Sequence, residues 1–370
     1  MNRAFALLIL LALPISAAQP SASSLDKRRK ALADVIEEQW QYNLRTSPEF
    51  ASILGDKRYN NQSSDLSAAE QAREAEQNRV FLRRLEAIKT AGFTDQEKIN
   101  KALLVRNLGN AIENYEAKDY EMPVNQMGGF HLFAAQLPSM LSFTTPKDYD
   151  DYIQRMRNFP RQTDQMIAVM RAGMRDKLMP PKFLLEKVAA QADSLAVAPE
   201  KSPFALPLQH IPLTFGDGEK ERIASAWLDA INSSVIPSYK KFATFIREEY
   251  APAGRTEVGA WSLPNGPARY ARAVRQSTTT NLTPEEIHQI GLREVARIEG
   301  EMLKIGKMFG YNDLKSFNEF VNGTPKLKAK SAEEILQIYR GYEEQMYKEL
   351  PKLFGRLPKA LLEVVPVEPF

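Results

Sequence analysis

Apolar residues recur every three to four positions along most of this chain, and segments that alternate apolar with polar are nearly absent. A chain patterned this way buries its apolar stripes by packing helix on helix. The clearest stripe is Ile287, Ile290, Val295, Ile298, Met302, Ile305 and Phe309. Thr283, Pro284 and Glu286 form a capping box ahead of it and Gly310 marks its stop, which predicts a helix over 284–309. Ser331 with Glu334 opens another helix in the same way, running to about 354 along Ile335, Ile338, Tyr342, Met346 and Leu350. Further helices are predicted over 26–45, 67–90, from Asp95 onward, and over 147–158, 161–178, 182–194, 219–233 and 235–250. Only 257–263 and 362–367 read as strands. The expected fold is mainly α, a multi-helix array with a minor β element near 257–263 and 362–367.

Two stretches interrupt the helical pattern. Residues 119–146 are punctured by Pro123, Gly128, Gly129, Pro138 and Pro146, and a long loop inside a compact chain is often functional. Residues 196–217 carry Pro199, Pro203, Pro207 and Pro212, either as an internal boundary or as a proline-stiffened crossing within one domain. Arg155, Arg157, Arg161, Arg171 and Arg175 run along the helices predicted between these stretches. They read as a solvated basic face or as an anion-binding one.

The N-terminus sets the expected compartment. Arg3 precedes an unbroken apolar run from Ala4 to Leu13, then Pro14 and the small residues Ser16, Ala17 and Ala18. This is the pattern of a secretory signal peptide over 1–18, cleaved between Ala18 and Gln19. The run is too short to cross a bilayer, which takes about 20 residues. No cysteine follows it to carry a lipid. A Ser-rich linker is expected over 19–25 and a helical domain over 26–370. The expected product is periplasmic or secreted, with no membrane association after signal removal. Its oligomeric state is not written in the sequence.

Composition removes several chemistries. With no cysteine in 370 residues there is no disulfide, thiolate nucleophile or Cys-ligated metal. The net charge of +3 is small beside 49 basic and 46 acidic residues, so no nucleic-acid partner is expected. Phosphate loops, dinucleotide fingerprints, Gly-x-Ser-x-Gly and His-Glu-x-x-His are all missing. The three histidines, His131, His210 and His288, are scattered, whereas a catalytic zinc needs three protein ligands. No catalytic or metal-binding residue is therefore assigned, and no cofactor is expected in this chain. His131 follows a Gly-Gly turn and is either a cleft-lining donor or a buried imidazole packing the loop. Trp261 to Gly266 reads as a strand entering an Asn-Gly turn, with Tyr270 just beyond. An exposed strand of that kind can bind an extended peptide by its backbone.

Residues 263–302 resemble a bacterial family. Leu263-Pro264-Asn265-Gly266, Tyr270, Thr278-Thr279-Thr280, Leu282 to His288 and Gly291 to Met302 are similar to the hallmark of the domain-of-unknown-function 885 family. Leu353 to Lys359 and Val364 to Val367 resemble it as well, as does the secretory start. The family is similar to zincin metallopeptidases, which implies a helical, exported peptidase-like protein. Its zinc motif, a His-Glu pair shortly before Pro-Gly-His, has no match here. The resemblance therefore implies the N-terminal portion of a longer protein, C-terminally incomplete, with zinc expected only in a full-length member. Such a portion would wall a substrate cleft and be inactive alone. Its candidate peptide contacts are Trp261, Leu263, Gly266, Tyr270 and His131. The alternative is a non-catalytic periplasmic helical binding or scaffold protein.

Overall fold

The computed structural model describes residues 22–366. The expected signal peptide and its cleavage site at Ala18 and Gln19 lie outside the described residues. The expected linker lies partly outside them too, and the first helix already begins at Ala22. The chain divides into two compact units, Met1–Thr279 and Thr280–Phe370, and the helical domain expected over 26–370 spans both. The mainly α expectation holds: the described residues form a succession of helices.

In the first unit α1 (Ala22–Thr46), α3 (Ala68–Glu86) and α4 (Asp95–Glu116) enclose a small core of Leu32, Val35, Phe81, Leu85, Ile88, Phe93 and Leu108. The larger core gathers on one long rod. It runs from α9 (Asp217–Ala230) through a π-helical stretch, Ile231–Val235, into α10 (Ile236–Phe245) and a second π stretch, Ile246–Tyr250. Its buried seam is Ile223, Trp227, Ile231, Val235, Tyr239, Phe242, Ile246 and Tyr250. These residues recur mostly every four positions rather than every 3.6, and the wider π turns absorb the difference and keep the seam straight. α6 (Pro146–Arg157), α7 (Phe159–Arg175) and α8 (Lys182–Leu195) pack around the rod. Trp227 stacks on Tyr152 with ring centroids 5.2 Å apart, and its indole N–H donates to Phe204 O at 2.8 Å.

Phe204 belongs to the proline-rich stretch. Pro203–His210 forms a 3-10 helix with Phe204, Ala205 and Pro207 buried, so this stretch is a crossing inside the first unit and not a boundary. The expected long loop over 119–146 contains a short helix, α5 (Phe130–Gln136), which its glycines and prolines hid. α2 (Pro48–Ile53) is likewise short.

The minor β element is corrected. Among the described residues there are isolated bridges, Asn125 with Gly128 and Pro181 with Arg255, but 257–263 forms no strand. Its backbone groups bond locally instead. The Arg255 guanidinium takes the carbonyls of Glu257 and Gly259, and Ser262 N and Leu263 N donate three residues back. Residues 361–366 also lack strand pairing, and Leu362 N donates to the Tyr347 hydroxyl at 2.7 Å. Val367 lies outside the described residues.

The second unit holds α12 (Pro284–Met308), α13 (Leu314–Gly323) and α14 (Ala332–Leu353). The Thr283–Glu286 capping box forms as expected. Gly306 lets Phe317 of α13 approach α12, since a Cβ there would meet the Phe317 ring at 3.1 Å.

Asp148 pins the start of α6. It closes a capping box with Thr145 and takes both Lys57 Nζ bonds at 2.8 Å. Burial pushes its carboxyl up, but the Lys57 ammonium and the amides of Thr144 and Thr145 outweigh this and hold it at about 2, against 3.8 for an ordinary aspartate. A depressed carboxylate stabilises the fold above its unfolded value and loses that contribution as pH falls toward the folded one. Asp148→Asn should therefore cost about 2 kcal/mol in urea unfolding at pH 7. The gap to wild type should close as pH drops from about 4 to about 2.

Candidate functional site

The first unit has two concave surfaces of chemical interest. One is an open groove of about 680 Å³ beside α11 (Gly266–Thr278). Ion pairs hold its lining side chains. Asp119 accepts from Arg269 Nη1 at 2.7 Å and from Arg272 Nη2 at 2.6 Å, and Arg275 pairs with Glu113 at 2.6 Å. Arg269 also donates to Pro264 O at 2.9 Å, which ties the turn before α11 to the groove. The walls carry Lys118 and Asp176 as a further pair. Both signs of charge line it, so it suits polar backbone or mixed-charge chains rather than a strongly ionic ligand.

The second is a chamber of about 360 Å³ between α2, α5, α6 and α7. Phe130, Phe133, Ala134 and Leu137 enter it from successive turns of α5 and its extension, and Met156, Phe159 and Met166 face them. Its polar side is built from segment 48–66. Glu49 is buried and accepts from Ser64 N at 3.1 Å, from the Ser64 hydroxyl and from Gln162 Nε2 at 3.2 Å. Arg155 is only 5% exposed. Its Nε donates to Gln62 O at 2.9 Å, and its Nη2 to Ser52 Oγ at 2.9 Å and Tyr59 O at 3.2 Å. Its Nη1 is buried without a partner among protein atoms. Burial lowers the Arg155 pKa, opposed by the charge of Glu49.

The five sequence-named residues fall in two places. Trp261 and Tyr270 are exposed at 71% and 52%, Leu263 is half-buried and Gly266 is buried. All four lie on the turn and helix that border the groove, where Pro264 and Asn265 provide the lining. His131 is apart from them and fully buried. Its Nε2 pairs with Gln191 Oε1 at 3.1 Å, its ring stacks on Phe242, and its carbonyl accepts from the Tyr239 hydroxyl at 2.7 Å. Burial holds this imidazole below its ordinary pKa, hence neutral. His210 and His288 are exposed. No group of three or more His, Asp or Glu able to hold a metal gathers among the described residues, so the donors for a zinc ion are not assembled there.

Sequence reasoning missed the chamber. Arg155 was grouped with its neighbours as a solvated or anion-binding face, whereas it is enclosed and bonded to carbonyls. The usable signal was that Asp148, Tyr152 and Arg155 share one helix face with the apolar stripe of α6.

The profile of the family described as "Bacterial protein of unknown function (DUF885)" matches residues 48–370. The chain belongs to the DUF885 family. A crystal structure described as "the putative lipoprotein from Colwellia psychrerythraea" is similar to it, with a TM-score of 0.79 at 20% identity over 90% of this chain. At that identity the likeness shows the fold alone. This DUF885 chain spans 61% of that relative's length. No curated protein matches it. The family match takes in the groove turn and the chamber, while α1 precedes it.

The DUF885 turn depends on Gly266. A Cβ there would stand 2.5 Å from Ala260 O and from Trp261 backbone atoms. Gly266→Ala should therefore open the turn at a cost of about 1–3 kcal/mol. Hydrogen exchange should show faster exchange at the Leu263 and Gly266 amides, with the Trp227 core unchanged.

Proposed function

We propose that this chain is the helical, substrate-facing part of an exported peptidase-like DUF885 protein and does not hydrolyse peptides by itself. The observation that carries this reading is the surface of the second unit. Ile290, Val295 and Ile298 of α12 and Ile335, Ile338 and Tyr342 of α14 are between 39% and 58% exposed. Among the described residues of that unit only Gly306 and Phe317 are buried. Capped helices with intact apolar stripes, which bury so little, call for a complementary surface. The longer relative of the same fold supports a further folded portion of a DUF885 protein as that surface.

The reaction class comes from the family's resemblance to zincin metallopeptidases. This chain would contribute substrate contacts at the groove edge, through Trp261, Leu263 and Tyr270 with Gly266 holding the turn. Enclosure of His131 argues for a packing role there. Export is supported by the signal-like start and by the relative described as a lipoprotein. No helix among the described residues is long and apolar enough to cross a membrane.

The test is a peptide-hydrolysis assay of the purified chain with added zinc. The expected result is no hydrolysis that a chelator removes. Chelator-sensitive turnover would overturn the reading of this chain as inert alone.

A further inference from the structure

The chamber has the make-up of a small-molecule site. Pockets for such ligands are mostly apolar, hold a few placed polar groups and start at about 300 Å³. This one offers about 360 Å³ walled by Phe130, Phe133, Phe159 and Met166, with Phe133 42% exposed. Phe130 stacks on Phe159 with centroids 4.9 Å apart, so the aromatic wall is held in place and does not rely on a ligand to order it.

The polar groups decide what kind of molecule fits. Glu49 already accepts from Ser64 and Gln162, so it does not need a donor from a ligand. Arg155 has used Nε and Nη2 on segment 48–62, while Nη1 remains a buried donor with no protein acceptor. That nitrogen is closed off even to a water molecule, so it offers no bond to a ligand in the chamber. Glu49 and Arg155 together carry no net charge. A ligand that brought its own charge would leave that charge uncompensated in a low-dielectric site.

We propose that the chamber between α2, α5, α6 and α7 binds an uncharged, largely apolar molecule. The aromatic walls take its apolar body. Binding here is independent of any peptidase role, because the groove at α11 and the chamber have no lining residue in common.

Three probes of nearly equal size separate the possibilities: 4-phenylbutyramide, 4-phenylbutyrate and 4-phenylbutylammonium, titrated calorimetrically into the whole chain at pH 7. The amide should bind at one saturable site, with both charged analogues weaker by at least about tenfold. Ala134→Phe, which adds a ring to the lining, should weaken the amide by at least about tenfold while the chain still melts cooperatively. Equal or tighter binding of a charged analogue would overturn the proposal, as would no saturable binding of the amide. Unchanged affinity in folded A134F would place the ligand elsewhere and overturn it too. The comparison among the three probes needs only the wild-type chain, so it decides the matter even if the variant fails to fold.

Discussion

The buried guanidinium of Arg155 is the interaction on which the functional half of the first unit rests. Segment 48–66 begins with α2 and a 3-10 turn at Lys57–Tyr59, and its irregular remainder, 62–66, needs hydrogen-bond partners from elsewhere. α6 and α7 supply them. Arg155 reaches the carbonyls of Tyr59 and Gln62, Arg161 that of Ser63, and Gln162 that of Ser64, while Gln165 accepts from Leu66 N. A half-buried irregular segment holds its place only if its inward-facing backbone groups find such partners. Arginine suits the position because its planar fork aims separate nitrogens at separate acceptors, where a lysine has a single nitrogen. Placing the segment also places Glu49 and Ser64, and these form the polar side of the chamber.

The two units divide the chain's physical character. The first gathers an aromatic core around Trp227, Tyr152 and Tyr239, and its two concavities differ in kind: one charged and open, one apolar and sheltered. The second keeps its apolar stripes outward. A charged groove suits transient contact with a polar chain, and an outward apolar face suits a durable one. That contrast is what links substrate contact to the first unit and association to the second in the reading proposed above.

Much of the fold was legible because helix periodicity and caps are local signals. Thr283 and Glu286 fixed the start of α12, and Ser331 that of α14, where their side chains do cap the helices. The two strand expectations failed because a strand needs a neighbour, which local patterning cannot supply. At 257–263 Arg255 and tight turns satisfy the backbone first. α5 was hidden because Gly128, Gly129 and Pro138 dominate its surroundings. Gly129 itself sits at φ 137°, with a Cβ there only 2.9 Å from Val124. The turn at 263–266 was legible as a site candidate, yet its groove was not, since Asp119 and Glu113 reach it from more than a hundred residues away. The chamber was the least legible, because it is assembled from four separate segments.

Native-state hydrogen exchange on Arg155→Lys tests the organising role of this one side chain most directly. The account predicts faster exchange across 48–66, including the Ser64 amide that Glu49 holds, while the seam from Ile223 to Tyr250 stays protected as in the wild type. Wild-type protection across 48–66 in that variant would contradict it.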